Sequence, residues 1–428
     1  MQLACHARGR AGSTLAVVLG LAVALGARSA AAADDAPGDT QDTGDKPPEK
    51  PPSKADDENK LPDSSTKRFS FEAATYTDTD HITVLTPSIA ATIENVTQGA
   101  TLRGSYLIDI VSAASVDIVS TASNRWFESR HEGALGFDYK PHDLGISVGG
   151  SISSEPDYVS YGMGAVATYE LDEKNLGLSF GYGYSHDTAG RAGTPFSIFS
   201  RVLERGTFNG GVSRVIDRST VGSLSGDVVI ENGDQSKVYR YIPMFAPNVA
   251  LTVPNGASIA WVTANRLPER PLEQLPLERR RFALTGRLAH RFDSSTLRAE
   301  ERLYDDSWGL MASTTDVRWI FDMGKRLALW PHVRIHAQKS VDFWQKAYVS
   351  GPGPGWDLPE YRTGDRELGP LWTADGGGGL RFYLGSKVEP RSWSLTVQGD
   401  VMYTSYLFDL YLTSRLAGLA SLSLETEL

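Results

Sequence analysis

"RFALTGRLAHRF" (Arg281–Phe292) decides the fold. Phe282, Leu284, Leu288 and Phe292 fall on one parity, and Arg281, Thr285, Arg287 and Arg291 fall on the other. Side chains on a β-strand alternate between two faces, so this stretch has one apolar face and one basic face. After the turn "DSS" the pattern resumes, with Leu297, Ala299 and Leu303 against Thr296, Arg298, Glu300 and Arg302. "MASTTDVRWIFDM" sets Met311, Val317, Trp319, Phe321 and Met323 against Asp316, Arg318 and Asp322. "LALWPHVRIHAQK" sets Leu327, Leu329, Val333 and Ile335 against His332, Arg334, His336 and Gln338. Alternating segments of about ten residues separated by turns are the mark of transmembrane β-strands.

A soluble antiparallel sandwich also alternates, but its strands average nearer ~5–6 residues. Three features favour the membrane. The segments are long and even. Tight turns such as "KPHD" (Lys140–Asp143), "LDEKN" (Leu171–Asn175), "IDRS" (Ile216–Ser219) and "MGKR" (Met323–Arg326) alternate with much longer connections. Aromatics such as Tyr182, Tyr184, Phe382, Trp393 and Tyr403 sit near segment ends, as interfacial girdles do. The C-terminal "LAGLASLSLETEL" alternates as well, and it ends on Leu428 where such barrels commonly end on an aromatic. The expected fold is all-β, an antiparallel up-and-down transmembrane barrel. Sixteen strands are counted between residues 69 and 427, and fourteen remain compatible because the first strand and the last hairpin are weakly marked. An even number places both termini in the periplasm.

The ends of the chain read differently. In residues 1–33, the basic His6, Arg8 and Arg10 precede the apolar "LAVVLGLAVAL" (Leu15–Leu25) and the small-residue "SAAAA" (Ser29–Ala33), the pattern of a cleaved secretory signal. Cys5 is the only cysteine, so the mature chain is expected to hold no thiol. Residues 34–66 carry ten Asp/Glu, four Lys and six Pro with almost no apolar side chain, which predicts a disordered acidic periplasmic linker. The barrel is then residues 67–428. A net charge of −10 without a basic domain argues against nucleic acid as a partner. No later apolar run reaches the ~20 residues of a membrane helix. Outer-membrane lipid and another envelope protein are the expected partners.

"DIVSAASVDIVSTAS" (Asp109–Ser123), "ANRLPERP" with the downstream "ERRRFALTGRLAHRF" (Ala264–Phe292), and "LYDDSWG" (Leu303–Gly309) resemble recurring segments of an uncharacterised bacterial family of outer-membrane barrels, defined only as a domain of unknown function. The resemblance runs through most of residues 69–428. It implies a barrel and an outer-membrane location, and it carries no assigned activity.

Topology gathers candidate functional residues at two places. Asp78, Asp80, Asp109, Asp117, Asp305 and Asp306 are expected on the extracellular rim, with Trp308 near the outer interface. If they converge, hard oxygen ligands suit Ca²⁺. Asp and Ser in such loops also cap turns. A rim hydrolase would need His81 beside Asp80, or His131 or His186, and no Ser/His/Asp grouping is legible from spacing, so no enzyme is expected. The lumen is lined by Arg281, Arg287, Arg291, Arg298, Arg302, Arg318 and Arg334, with His332 and His336. These either form a basic strip that attracts anions or pair with Glu300, Asp316 and Asp322 into a salt-bridged filling. The connection 231–279 contains "YIPMFAPNVALTVPNGASIAWV" (Tyr241–Val262), unusually apolar for a loop. Its "VALTV" and "SIAWV" runs around "PNG" favour a β-hairpin. Residues 350–370 read as flexible cover. Passage or binding of a small solute is the leading function. A structural or assembly role with another envelope protein comes second and a rim hydrolase third.

Overall fold

The computed structural model describes residues 65–113, 126–350, 357–385 and 392–428. The signal, nearly all of the acidic linker and Asp117 lie outside them. Sixteen strands run in chain order as β1 (Ser65–Asp78), β2 (Ile82–Asn95), β3 (Ala100–Ala113), β4 (Trp126–Tyr139), β5 (Leu144–Glu155), β6 (Tyr158–Leu171), β7 (Leu176–Ala189), β8 (Arg201–Val215), β9 (Thr220–Gly233), β10 (Glu278–Arg291), β11 (Ser295–Asp306), β12 (Met311–Met323), β13 (Leu327–Gln338), β14 (Leu371–Tyr383), β15 (Trp393–Tyr406) and β16 (Ser414–Glu427). Each pairs antiparallel with its chain neighbours, and β16 closes on β1 from Arg68↔Glu427 to Asp78↔Ala417. The weakly marked first strand and last hairpin are therefore the seam of the barrel. Closure leaves no free edge, which is what a sheet in hydrocarbon requires.

The apolar parity faces outward. Phe282, Leu284 and Leu288 on β10, Leu303 on β11 and Trp319 on β12 are all exposed, and so are Leu135, Ile152, Met163 and Leu424 around the wall. This is an even-numbered closed barrel with an apolar belt and alternating short and long connections, the architecture of an outer-membrane barrel. Among the described residues no helix is long and apolar enough to cross a membrane.

The connections β7–β8, β9–β10 and β13–β14 leave from one end, and the last two fold together into a cap. Here the expected hairpin is corrected. Residues 241–265 instead hold a short helix α1 (Pro247–Ala250) and a second, α2 (Ile259–Asn265). Pro247 begins α1, where its missing N–H costs nothing, and the Ser258 hydroxyl accepts from Trp261 N at 3.1 Å to cap α2. The apolar residues that suggested a strand serve instead to pack. Val253, Ala257 and Val262 bury against Phe245 and against Leu410 from the β15–β16 loop. The flexible cover is also corrected. In its described part, Arg362, Thr363, Arg366 and Leu368 are buried. The two long connections are tied by a parallel pairing of Met244–Phe245 with Tyr348–Val349, and by a bridge between Gln274 and Arg362.

Candidate functional site: the lumen beneath the cap

Solvent exposure of the inward side chains divides the lumen. Toward the short-turn end, Arg291 and Asp322 keep 46% and 42% of their side-chain surface although they point inward. Toward the long-loop end, beneath the cap, Glu231 and Asp306 keep none. Asp80, Asp109, Arg130, Glu132, Asp187 and Asp227 are buried as well. The inward charges are solvent-accessible at one end of the lumen and form a packed polar body at the other.

The predicted lumen arginines all line this space, and most are paired. Arg281 Nη2 lies 2.7 Å from Glu231 Oε2, and Arg205 Nε donates to Glu231 Oε1 at 2.8 Å. Arg302 Nη1 donates to Asp227 at 3.1 Å and to Thr285 at 3.2 Å. Arg287 and Glu300 meet at 2.5 Å, and Arg291 and Asp322 at 2.6 Å. Arg298 stands exposed, in register with Arg318. Arg334 on β13 is in register with Asp316 and Asp375. A salt-bridged filling describes these residues better than a bare basic strip, because a buried unpaired guanidinium is too costly to keep. His336 bonds to Thr314 at 2.7 Å. His332 is buried and bonds through Nε2 to Asp400. Those two residues sit on β13 and β15, on either side of Gly377 of β14. A Cβ at position 377 would collide with the Asp400 side chain, so glycine there opens the bridge between non-adjacent strands.

The five described rim aspartates do not share a centre. Asp78 Oδ1 accepts from Asp80 N at 3.0 Å and Ile82 N at 2.9 Å, which is turn capping. Asp80 pairs with Arg366 of the cap at 2.6 Å. Asp109, expected in a loop, lies within β3 and is buried, bonded to Arg130 at 2.8 Å and to Thr86 at 2.5 Å. Asp306 holds Arg279, Tyr304 Oη and the backbone N–H groups of Trp308 and Leu310. Asp305 points the other way and is exposed. Trp308 is not at the outer interface. It is buried against Leu275, Leu310 and Val341, with the Arg279 guanidinium 4.1 Å from its ring centre.

Among the described residues, two other groups bring three metal-capable side chains together: His332–Asp375–Asp400 and Glu128–Glu155–Asp157. No rim aspartate belongs to either. The second lies under the cap, where Tyr239 Oη donates to Asp157 Oδ2 at 2.7 Å and accepts from Ala192 N at 2.6 Å. Burial, with the neighbouring Asp157 carboxylate adding to it, pushes the Tyr239 phenol up to about 12. Tyr239→Phe removes the bond to a charged acceptor, of the class worth ~1.5–3 kcal/mol, from one corner of the cap. Proteolytic nicking of residues 234–277 in the folded barrel is expected to rise about tenfold or more, since ~1.4 kcal/mol is a factor of ten in a local opening equilibrium.

Residues 202–389, under half of the chain, match the family model described as a protein of unknown function (DUF3570). The "ANRLPERP"–"ERRRFALTGRLAHRF" region and "LYDDSWG" fall inside that range, and "DIVSAASVDIVSTAS" falls outside it. No curated protein matches the chain. Solved structures similar to it include OccAB1 of Acinetobacter baumannii, at 10% identity and a TM-score of 0.41 over 85% of this chain and 96% of that one. OccK5 (OpdH) of Pseudomonas aeruginosa is similar at 9% identity and 0.39, over 85% and 98%. The siderophore receptor PirA from Acinetobacter baumannii is similar at 11% identity and 0.38 over 81% of this chain, which spans only about half, 54%, of the receptor's length.

Proposed function

We propose that the barrel admits a small polar solute to a lumen that its cap closes from outside, with the long loops extracellular and both termini periplasmic. The observation that carries this reading is the gradient of exposure along the lumen. Charged side chains at the short-turn end stay solvated while facing inward, and those under the cap are sealed. The accessible charges reach inward past the mouth, because Arg287 and Glu300 keep 41% and 38% of their side-chain surface. Paired charges of both signs suit a polar or zwitterionic solute better than a simple anion, because neither sign dominates the wall.

The test is conductance in planar bilayers with the cap held and released. Cysteines at Asp80 and Arg366, bridged by a reducible bis-thiosulfonate, fix the cap to the β1–β2 turn. A near-silent bridged barrel that conducts after reduction supports gated passage. Identical currents before and after reduction, or no current in either state with no solute uptake into vesicles, would refute it.

A further inference from the structure

Four outward positions of the apolar belt on β10–β13 carry polar side chains: His290 on β10, bonded to Thr220 of β9 at 2.8 Å, and three that stand together. Glu301 on β11 shares the parity of Leu297, Ala299 and Leu303, all on the lipid-facing wall. Ser313 and Thr315 on β12 share the parity of Met311, Val317 and Trp319 and are likewise exposed. The two hydroxyls donate to the carboxylate, Ser313 Oγ to Oε1 at 2.6 Å and Thr315 Oγ1 to Oε2 at 2.5 Å. The register gives the depth. Glu301 pairs with Gly286, which lies four positions from Phe282 and six from Phe292 along β10. At ~3.3 Å per residue and a tilt of about 40°, that is roughly 10 Å below one aromatic row and roughly 15 Å above the other. A carboxylate therefore stands in the middle of the hydrocarbon layer, where ionisable groups are costly and rare.

Two hydroxyls leave the carboxylate with lone pairs and charge that acyl chains cannot satisfy. Small residues surround it: Ala299 and Ala337 share its face, and a Cβ added at Gly286 would meet nothing within 4 Å. Ser313 also lines an open apolar groove of about 1070 Å³ with Phe282, Leu284, Leu303 and Met311. Small residues around a buried polar group are what allow membrane-embedded proteins to approach closely. A second copy of this chain supplies no Lys or Arg at that depth, and its outward histidines are engaged, His131 with Tyr106 Oη, His186 with Glu204 and His290 with Thr220. The outward Lys and Arg side chains on the described strands and their edges lie at the ends, Lys67 and Arg214 toward the short turns and Arg280 and Lys339 toward the long loops. Charge complementarity thus points away from self-association.

We infer that the outer wall of β10–β12 is a docking face for a different membrane-embedded protein, one that presents a Lys or Arg side chain to Glu301 at mid-depth. This stands apart from the solute reading, because the face is outside the barrel and the lumen inside.

The full chain in its native membrane, with a photo-crosslinking residue at Leu303 and, as a control, at Leu424 on the far wall, tests it. The expected result is one discrete protein adduct from position 303 and none from 424. Glu301→Gln should reduce it at least fivefold and Glu301→Asp should preserve it, with the amount of folded barrel, read from heat-modifiable gel mobility, unchanged. In the isolated barrel, Glu301→Leu should leave the urea midpoint unchanged or higher, because no partner is present. An adduct of twice the barrel's mass containing only this chain overturns the inference. So does an adduct indifferent to Glu301→Gln, the absence of any protein adduct, or a lower midpoint for Glu301→Leu.

Discussion

Asp306→Ala is expected to lower the unfolding free energy of the lipid-inserted barrel by about 3–5 kcal/mol, the cost of stranding a buried charge whose partner has gone. The Asp306 side chain has no solvent exposure and that of Arg279 only 9%. One carboxylate receives the Arg279 guanidinium, the Tyr304 hydroxyl at 2.8 Å and the amides of Trp308 and Leu310 at 2.9 and 3.1 Å. Its removal leaves a guanidinium in a packed polar body and unties the turn that seats Trp308 against Leu275 and Val341. The neighbouring Asp305→Ala serves as control. Its side chain is exposed on the outer surface, so its effect should stay within about 0.5 kcal/mol. Urea unfolding followed by tryptophan fluorescence measures both. Equal midpoints for the two variants would show that the Asp306 network does not buttress the barrel mouth.

The second large effect is expected on gating. On the proposed solute passage, Arg366→Ala should raise the open fraction of the barrel by tenfold or more. The Arg366 side chain is 3% exposed, and it joins the cap to Asp80 in the β1–β2 turn at 2.6 Å. Its guanidinium carbon lies 5.4 Å from the centre of the Tyr406 ring. The next residue, Glu367, accepts from Tyr406 Oη at 2.8 Å and meets Arg415 at 3.2 Å. A three-residue 3₁₀ turn thus carries much of the contact between cap and wall. Losing Arg366 in the closed state costs buried Asp80 its 2.6 Å bond to that guanidinium, whereas an opened mouth lets water replace it. Even ~1.4 kcal/mol of that difference shifts the equilibrium tenfold. Arg366→Lys should rescue poorly, because a compact ammonium cannot both reach Asp80 and sit over the Tyr406 ring. Single-channel recording decides the matter, and an unchanged open fraction in Arg366→Ala would refute the latch.

The wall was legible in the sequence and the cap was not. Alternation is a local property, so "RFALTGRLAHRF" announces both its strand and its two faces, and the turns between such segments mark their ends closely. The contacts that fold the cap are distant in sequence. Val253 and Val262 look like strand residues until Leu410, more than a hundred positions later, packs on them. Ser258 caps a helix only seven residues long, too short for its periodicity to stand out. The rim aspartates shared an end of the barrel, but sequence position could not show that Asp80 and Asp109 each meet an arginine from another segment. Gly377 gave no hint that it lets His332 reach Asp400, because that contact depends on register across three strands. Glu301 was readable: an acid on the parity of Leu297 and Leu303 breaks the alternation on the side where a break is most costly.

The parallel pairing of Met244–Phe245 with Tyr348–Val349 bears on how the mouth would open. It stitches two loops that leave the barrel from well-separated strands, so neither can swing out alone without breaking the other's hydrogen bonds. Together with the shared apolar packing around Phe245, it makes the lid a single rigid door. Current records should then show one full-sized step between shut and open, with no ladder of partial levels.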